Sequence, residues 1–201
     1  MTIGFSMFER GFKTWCEEFS IQIRREMGLS NVSPLDPLDL AKVLDVDVRR
    51  PQQLDSLPAD VSERLINKHA ETWSAVTVSH GHKHLTVYNP IHSRARRNSD
   101  LMHELAHILL EHRPTHVFIS PQKGYALRTH DRNQESEAAW LAGCLLLPRP
   151  ALLDIRKRGL DDGTACEKYG VSEDLLRFRM NATGVNVQLK RAGVWHRKSR
   201  R

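Results

Sequence analysis

The chain contains an H-E-x-x-H motif, His103-Glu104-Leu105-Ala106-His107, which constrains its fold more than any other feature of the 201 residues. Residues four apart on an α-helix lie on one face, so His103 and His107 can direct two ring nitrogens toward one metal ion. Glu104 is offset from His103 by about 100° and can lie beside that ion without ligating it. The motif therefore predicts a zinc-binding helix with Glu104 as a general base.

The residues around the motif are largely apolar, and they include Leu101, Met102, Leu105, Ile108, Leu109 and Leu110. A helix with this pattern is substantially buried. Buried polar side chains need partners, and a metal ion would provide them. The alternative, an exposed helix with two unpaired histidines, fits the pattern less well.

A catalytic zinc usually has three protein ligands, so a third must come from elsewhere in the chain. The predicted helix over residues 133–147 carries Glu135 and Glu137 among small residues. Glu135 shares its face with alanines that allow close packing, which favours it as the ligand, and Glu137 is the alternative third ligand. His112 and His130 are further candidates, although each is more typical of a surface or loop histidine. Both glutamates could also be solvated surface charges.

Length and composition predict one domain, or one domain with a small appendage, and a genuine core, since 40% of the residues are hydrophobic. We expect a core over residues 1–148, a helical segment over 149–185 packed on it, and a basic tail over 186–201. The net charge of +6 is concentrated in Arg94–Arg97 and in that tail. Both runs are interpreted as solvated charges rather than as contacts with nucleic acid.

The cysteines and the N-terminus indicate a reducing compartment. Cys16, Cys144 and Cys166 are odd in number and lack paired spacing, as expected of free thiols. Residues 1–12 do not have the pattern of a signal peptide, and no apolar run reaches about 18 residues. A cytoplasmic location is predicted.

Hydrophobic periodicity predicts an α+β fold, with a small antiparallel sheet beside a mostly helical body. Strands are expected at 46–48, 73–78, 84–88 and 116–119, with a hairpin turn at 79–83. Helices are expected at 8–27, 37–44, 61–68, 99–111, 133–147, 150–158, 163–169 and 172–183. Asn98 or Ser99 is predicted to cap the motif helix, and residues 124–132 are predicted to form a loop near the site.

Residues 164–180 have the look of a helix-turn-helix, with Gly170 at the turn. Arg177 and Arg179 on the second helix would be the candidates for DNA contact. However, Glu173 and Asp174 at its start would face phosphates unfavourably. A plain helical hairpin packed on the core is therefore preferred, and DNA binding is kept as the less favoured alternative.

Several segments together resemble the ImmA/IrrE family of metallopeptidases. Residues 87–90, 94–97 and 101–112 are similar to the strand, basic loop and active helix of that family. Residues 135–142 and 145–148 are similar to its second helix, and 37–44 and 169–172 also fit. The resemblance extends over roughly residues 15–183, and its strength lies in the order and spacing of these pieces.

This resemblance implies a zincin-like fold in which Zn²⁺ is held by His103, His107 and Glu135, and it implies hydrolysis of a peptide bond. The chain departs from the family at Ala139, where Asn or Asp is usual, and at Leu141, where Phe is usual. Loss of a polar residue at position 139 could remove a side chain that supports the metal ligands. The absence of a polar residue at position 139 is the basis of an alternative function, that of a non-catalytic regulator that keeps the zinc scaffold.

The resemblance also implies a partner. Family members commonly act with or upon a helix-turn-helix repressor, in phage, mobile-element or stress-response settings, and some resemble toxins paired with such a repressor. We therefore expect a protein substrate that is a helix-turn-helix repressor or antitoxin. A donor to the oxyanion is also expected, and His130, Tyr125 and Arg128 are the candidates, among which the sequence does not choose.

Overall fold

Helices dominate the computed structural model, which describes residues 8–55, 57–112, 117–119, 126–128 and 131–193. The helices are α1 Phe12–Glu26, α2 Pro37–Val43, α3 Ala59–Ile66, α4 Arg94–Leu109, α5 Arg132–Leu146, α6 Arg149–Lys157, α7 Asp162–Tyr169, α8 Glu173–Ala182 and α9 Val185–Arg191. The strands are β1 Val46–Arg49, β2 Ala75–His80, β3 Lys83–Tyr88, β4 Val117–Ile119 and β5 Ala126–Arg128. The predicted α+β class is confirmed.

The larger sheet has the strand order β1-β3-β2. Strands β2 and β3 form the predicted antiparallel hairpin, in which Thr77 pairs with Thr86. Strand β1 runs parallel to β3, so the sheet is mixed rather than wholly antiparallel. A parallel pair requires a long crossover, and the connection that contains α3 and β2 provides it. The smaller sheet pairs β4 with β5, and β5 lies in the stretch that was predicted to be a loop.

The motif helix α4 begins earlier than its periodicity predicts. Ser93 is the N-cap, and its hydroxyl accepts a hydrogen bond from the backbone N–H of Arg96 at 3.3 Å, so the predicted cap at Asn98 or Ser99 is wrong. The basic run forms the first turn, where the Arg97 guanidinium donates to the carbonyls of Pro90 and His92. Apolar periodicity starts only at Leu101, because the first turn packs through polar contacts.

Helices α4 and α5 pack closely, and this packing brings the H-E-x-x-H motif against the helix that carries Glu135 and Glu137. Ala106 on α4 and Ala138 on α5 are both fully buried, and Ala142 is 5% exposed. Small side chains at these positions let the two helix axes approach. Helix α1 also packs against α5.

The C-terminal helices pack on the same core. Helix α9, Val185–Arg191, occupies the first residues of the predicted basic tail at 186–201. Val185 and Leu189 lie four residues apart, and both are buried in the core cluster. The burial of these two residues, which have helical spacing, stabilises a helix in this segment despite its local positive charge. Residues 194–201 lie outside the described part of the chain, and the proposed domain boundaries stay a prediction.

The suspected DNA-contacting arginines have other partners. Arg179 is fully buried, and its guanidinium donates to the Leu147 carbonyl at 3.1 Å and to the Glu17 carboxylate. Arg177 pairs with Asp174 on its own helix. Gly170 stands between α7 and α8 with a φ of 62°, in the left-handed region that glycine favours. The segment forms a helical hairpin on the core, and Arg179 is not available to DNA.

Among the described residues, no single helix is long and apolar enough to cross a membrane. One consecutive pair, α5 and α6, meets that test by length and composition when taken together, although it is bent by 42°.

Candidate metal centre

Three of the predicted ligands converge where α4 faces the first turns of α5. The Nε2 atoms of His103 and His107 are 3.1 Å apart. Glu135 Oε2 lies 3.1 Å from His103 Nε2, and Glu135 Oε1 lies 3.5 Å from His107 Nε2. The helical repeat places the two histidines on one face of α4, and the close packing of α5 brings the glutamate to them.

These separations fit a tetrahedral zinc ion. Ligand atoms about 2.0–2.2 Å from such an ion lie about 3.3–3.6 Å from one another. The three separations in the structure are within about 0.2 Å of that range. Two imidazoles and one carboxylate are also a donor set typical of catalytic zinc sites that leave one position open. The residues present therefore fit the metal that the motif implies.

Exposure differs between the three ligands and Glu104. The side chains of His103, His107 and Glu135 are 26%, 19% and 34% exposed, so the cluster is open to solvent. Glu104 is only 6% exposed, and the residues buried beside it on α4 are apolar. Glu104 directly follows His103 on α4, and a carboxylate shielded from bulk water can act as a proton acceptor.

Glu137, the alternative third ligand, lies outside the ligand cluster. Its Oε2 is 3.2 Å from His112 Nε2. His112 Nδ1 in turn lies 2.9 Å from His107 Nδ1. His112, which was weighed as a ligand itself, therefore stands behind His107, on the side of the ring away from the cluster. The structure thus brings Glu135 to the two histidines of the motif and Glu137 to His112.

The three candidate oxyanion donors are not placed by the structure. Tyr125 and His130 lie outside the described residues, and Arg128 is described only as part of the backbone of β5. Their roles stay predictions. Ala139, where the resemblance implies a polar residue, is exposed.

The contact between His112 and His107 was missed at the level of sequence. The spacing of five residues carried a signal for it, because a helix that ends in a Schellman motif joins residues five apart. Recognising that signal requires the end of α4 to be known to within one residue.

Comparison with known proteins gives the family of the chain. Residues 59–181 match the peptidase M78 family, described as the IrrE N-terminal-like domain. A search among curated proteins gave no match. A solved Mycobacterium tuberculosis transcriptional regulator superposes with a TM-score of 0.52 at 14% identity, over 86% of this chain. This chain spans about half (47%) of that regulator, and at this identity the likeness shows a shared fold.

Proposed function

Because the chain belongs to the peptidase family of IrrE N-terminal-like domains, we propose that it is a zinc-dependent endopeptidase that cleaves a protein partner. The observation that carries this proposal is the convergence of His103, His107 and Glu135 beside a buried Glu104. Each of these groups has one role in metal-assisted hydrolysis, and the distances between the ligand atoms suit the metal.

Zinc at this cluster would supply Lewis acidity, lowering the pKa of a water molecule to about 7 and polarising a carbonyl group. The imidazoles of His103 and His107 and the carboxylate of Glu135 would hold it. Glu104 accepts the proton of the attacking water and delivers it to the leaving amine. His130, Tyr125 and Arg128 remain the candidates for stabilising the oxyanion.

The proposed substrate is a helix-turn-helix repressor or antitoxin. Two observations support this choice: the resemblance to the ImmA/IrrE family, and the fold shared with a protein described as a transcriptional regulator. The ligand side chains are partly exposed, which suits an endopeptidase that must admit the middle of a polypeptide. A toxin and a derepressing protease would use the same chemistry and differ in their substrate. DNA binding is not favoured, because Arg179 is buried.

Metal binding is tested by elemental analysis of the purified wild type and of Glu135→Ala and Glu137→Ala. We expect one zinc per chain in the wild type, loss of most of it in Glu135→Ala, and retention of most of it in Glu137→Ala. Folded wild-type protein that holds no zinc would overturn the proposal.

Hydrolysis is tested by sequencing new protein N-termini in cells that produce the wild type, Glu104→Gln or Glu111→Gln. Glu111 is exposed, so its substitution is a matched change of charge close to the site. Loss of the general base should slow cleavage by about 10²–10⁴-fold. Cleavage products should therefore accompany the wild type and Glu111→Gln and be missing with Glu104→Gln. Equal products from Glu104→Gln would exclude Glu104 as the base.

A further inference from the structure

We propose that His112 and Glu137 are positioning residues that hold the ring of His107 in its metal-binding orientation. This inference rests on the proposed zinc site. The contacts form a line in which Glu137 Oε2 lies 3.2 Å from His112 Nε2, and His112 Nδ1 lies 2.9 Å from His107 Nδ1. His107 Nε2, the other nitrogen of that ring, faces His103 and Glu135.

The end of α4 places His112 against His107. Helix α4 stops at Leu109, and Glu111 adopts a left-handed conformation with a φ of 51°. The backbone N–H of His112 donates to the His107 carbonyl, and that of Glu111 donates to the Ile108 carbonyl, both at 3.0 Å. These two bonds define a Schellman motif.

In such a motif the residue after the left-handed position commonly makes an apolar contact with the residue five positions earlier. Here two imidazoles occupy those positions. Glu111 is not a glycine, and the left-handed conformation costs such a residue about 1 kcal/mol. A strained turn that aims one histidine at another is expected where the arrangement serves a site.

Only one assignment of ring protons satisfies every contact in this line with neutral imidazoles. A metal on His107 Nε2 requires the proton on Nδ1, which then donates to His112 Nδ1. The proton of His112 is consequently on Nε2, from which it donates to the Glu137 carboxylate. The two imidazoles and the carboxylate thus form a single hydrogen-bonded series, and a metal would be held at one end of it by His107 Nε2.

Burial makes this series effective. The His112 side chain is 8% exposed and that of Glu137 is 25% exposed, so water competes weakly for the contact between the two rings. A carboxylate at the far end polarises both imidazoles and makes His107 a stronger ligand. The pair also joins the end of α4 to α5, the helix that carries Glu135. This contact between His112 and Glu137 therefore helps to fix the position of α4 relative to α5, the two helices that carry the proposed ligands.

The test is the affinity for zinc, measured by competition with a chromophoric chelator, in the wild type, His112→Phe, His112→Asn and Glu137→Gln. Loss of such supporting contacts typically weakens metal binding by roughly 10–100-fold. We expect the largest loss in His112→Phe, which removes both contacts. His112→Asn keeps an acceptor near Nδ1 and should recover part of the affinity. Glu137→Gln keeps an acceptor without charge and should show the smallest loss.

Cobalt substitution supplies a second measurement, since the visible absorption of bound Co²⁺ reports the geometry of its ligands. The spectrum should change in His112→Phe and move back toward wild type in His112→Asn. Glu111→Gln is the matched control and should keep both the zinc affinity and the spectrum. Circular dichroism of each variant separates a local effect from misfolding.

The outcomes separate this inference from the proposed function. One outcome is that the wild type binds zinc while the folded His112 and Glu137 variants show the same zinc affinity and the same cobalt spectrum as the wild type. That result would overturn the positioning role and leave the metal site standing. A folded wild type that binds neither metal would overturn both. An equal loss of affinity in Glu111→Gln would also overturn the inference, because charge near the site would then explain the effect.

Discussion

The two ends of α5 face different surroundings and serve different purposes. At its start, Glu135 and Glu137 are partly exposed and contact histidines of α4 and of the turn that follows it. At its end, every residue from Leu141 to Leu147 is buried. The last carbonyl groups of a helix have no partner within the helix, so burying them requires donors from elsewhere.

Two buried arginines provide those donors. Arg24 donates to the Leu145 carbonyl at 2.6 Å, and Arg179 donates to the Leu147 carbonyl. Burial lowers the pKa of Arg24 to about 10, and the side chain still carries its charge at neutral pH. One helix thus anchors the core at one end and presents one candidate metal ligand, Glu135, at the other. Substitutions at the buried end should therefore leave zinc binding intact, and substitutions at the ligand end should leave the anchoring of the core intact.

The largest expected change in stability is that of Arg179→Met. The substitution deprives the Leu147 carbonyl and Glu17 of a buried donor, and it should lower the free energy of unfolding by about 3 kcal/mol. Urea unfolding measures the loss. Zinc content per folded chain should be unchanged.

Arg177→Met is the matched control, because Arg177 is 68% exposed and its partner Asp174 is exposed too. Its effect should be within about 0.5 kcal/mol. Equal losses from the two substitutions would contradict the anchoring role of Arg179.

Glu135→Ala, at the other end of the helix, should lose zinc binding rather than the stability of the core. Zinc at about 100 times its dissociation constant should stabilise the wild type by about 2.7 kcal/mol, since it binds the folded chain only. Glu135→Ala should lose most of this gain, whereas Arg179→Met should keep it. Unfolding with and without zinc tests the pair, and a full gain in Glu135→Ala would remove Glu135 from the ligand set.

Stability should fall in alkaline solution because of Cys144 at the buried end. A hydrogen bond with Cys16 and then burial raise the pKa of Cys144 above its ordinary value of 9.0. The unfolded chain releases this proton above about pH 9 while the folded chain keeps it, so folding becomes less favourable as pH rises. The loss is about 1.4 kcal/mol per pH unit for one proton.

Cys144→Ser removes this titration, and it should flatten the decline in unfolding free energy between about pH 9 and pH 10.5. Cys166→Ser is the comparison. Burial raises the pKa of Cys166 too, but this residue is only partly buried, so its contribution should end at a lower pH. A decline that stays equally steep in Cys144→Ser would mean that other groups cause it.

Asp131→Ala should have the smallest effect. The Asp131 carboxylate caps α5, accepting from the backbone N–H groups of Asn133 and Gln134. Losing it should cost about 1 kcal/mol of unfolding free energy, whereas Asp131→Asn should cost less. Thermal unfolding without metal measures both. Equal stability of all three proteins would mean that side-chain contacts, rather than the cap, hold the first turn.

Local patterns in the sequence predicted much of this molecule. The hairpin of β2 and β3 follows from the alternation of its strands, and the helices predicted at 37–44 and 133–147 follow from helical periodicity. The start of α4 was missed, because polar contacts rather than apolar periodicity hold its first turn. Helix α9 was missed, because its positive charge concealed two core residues with helical spacing.

The sequence alone determined that His103 and His107 share a helical face, since the helical repeat is a property of the backbone. Glu135 and Glu137 lie on one helix about 200° apart in angle, and local geometry favoured Glu135 without excluding Glu137 as the residue that meets those histidines. The packing of α5 against α4 decided it, and the turn after α4 brought His112 to Glu137. The same holds for Arg179, which resembles a DNA-contacting residue in sequence but is buried in the structure. Local periodicity determines which residues share a face, whereas only the packing of distant segments determines what that face contacts.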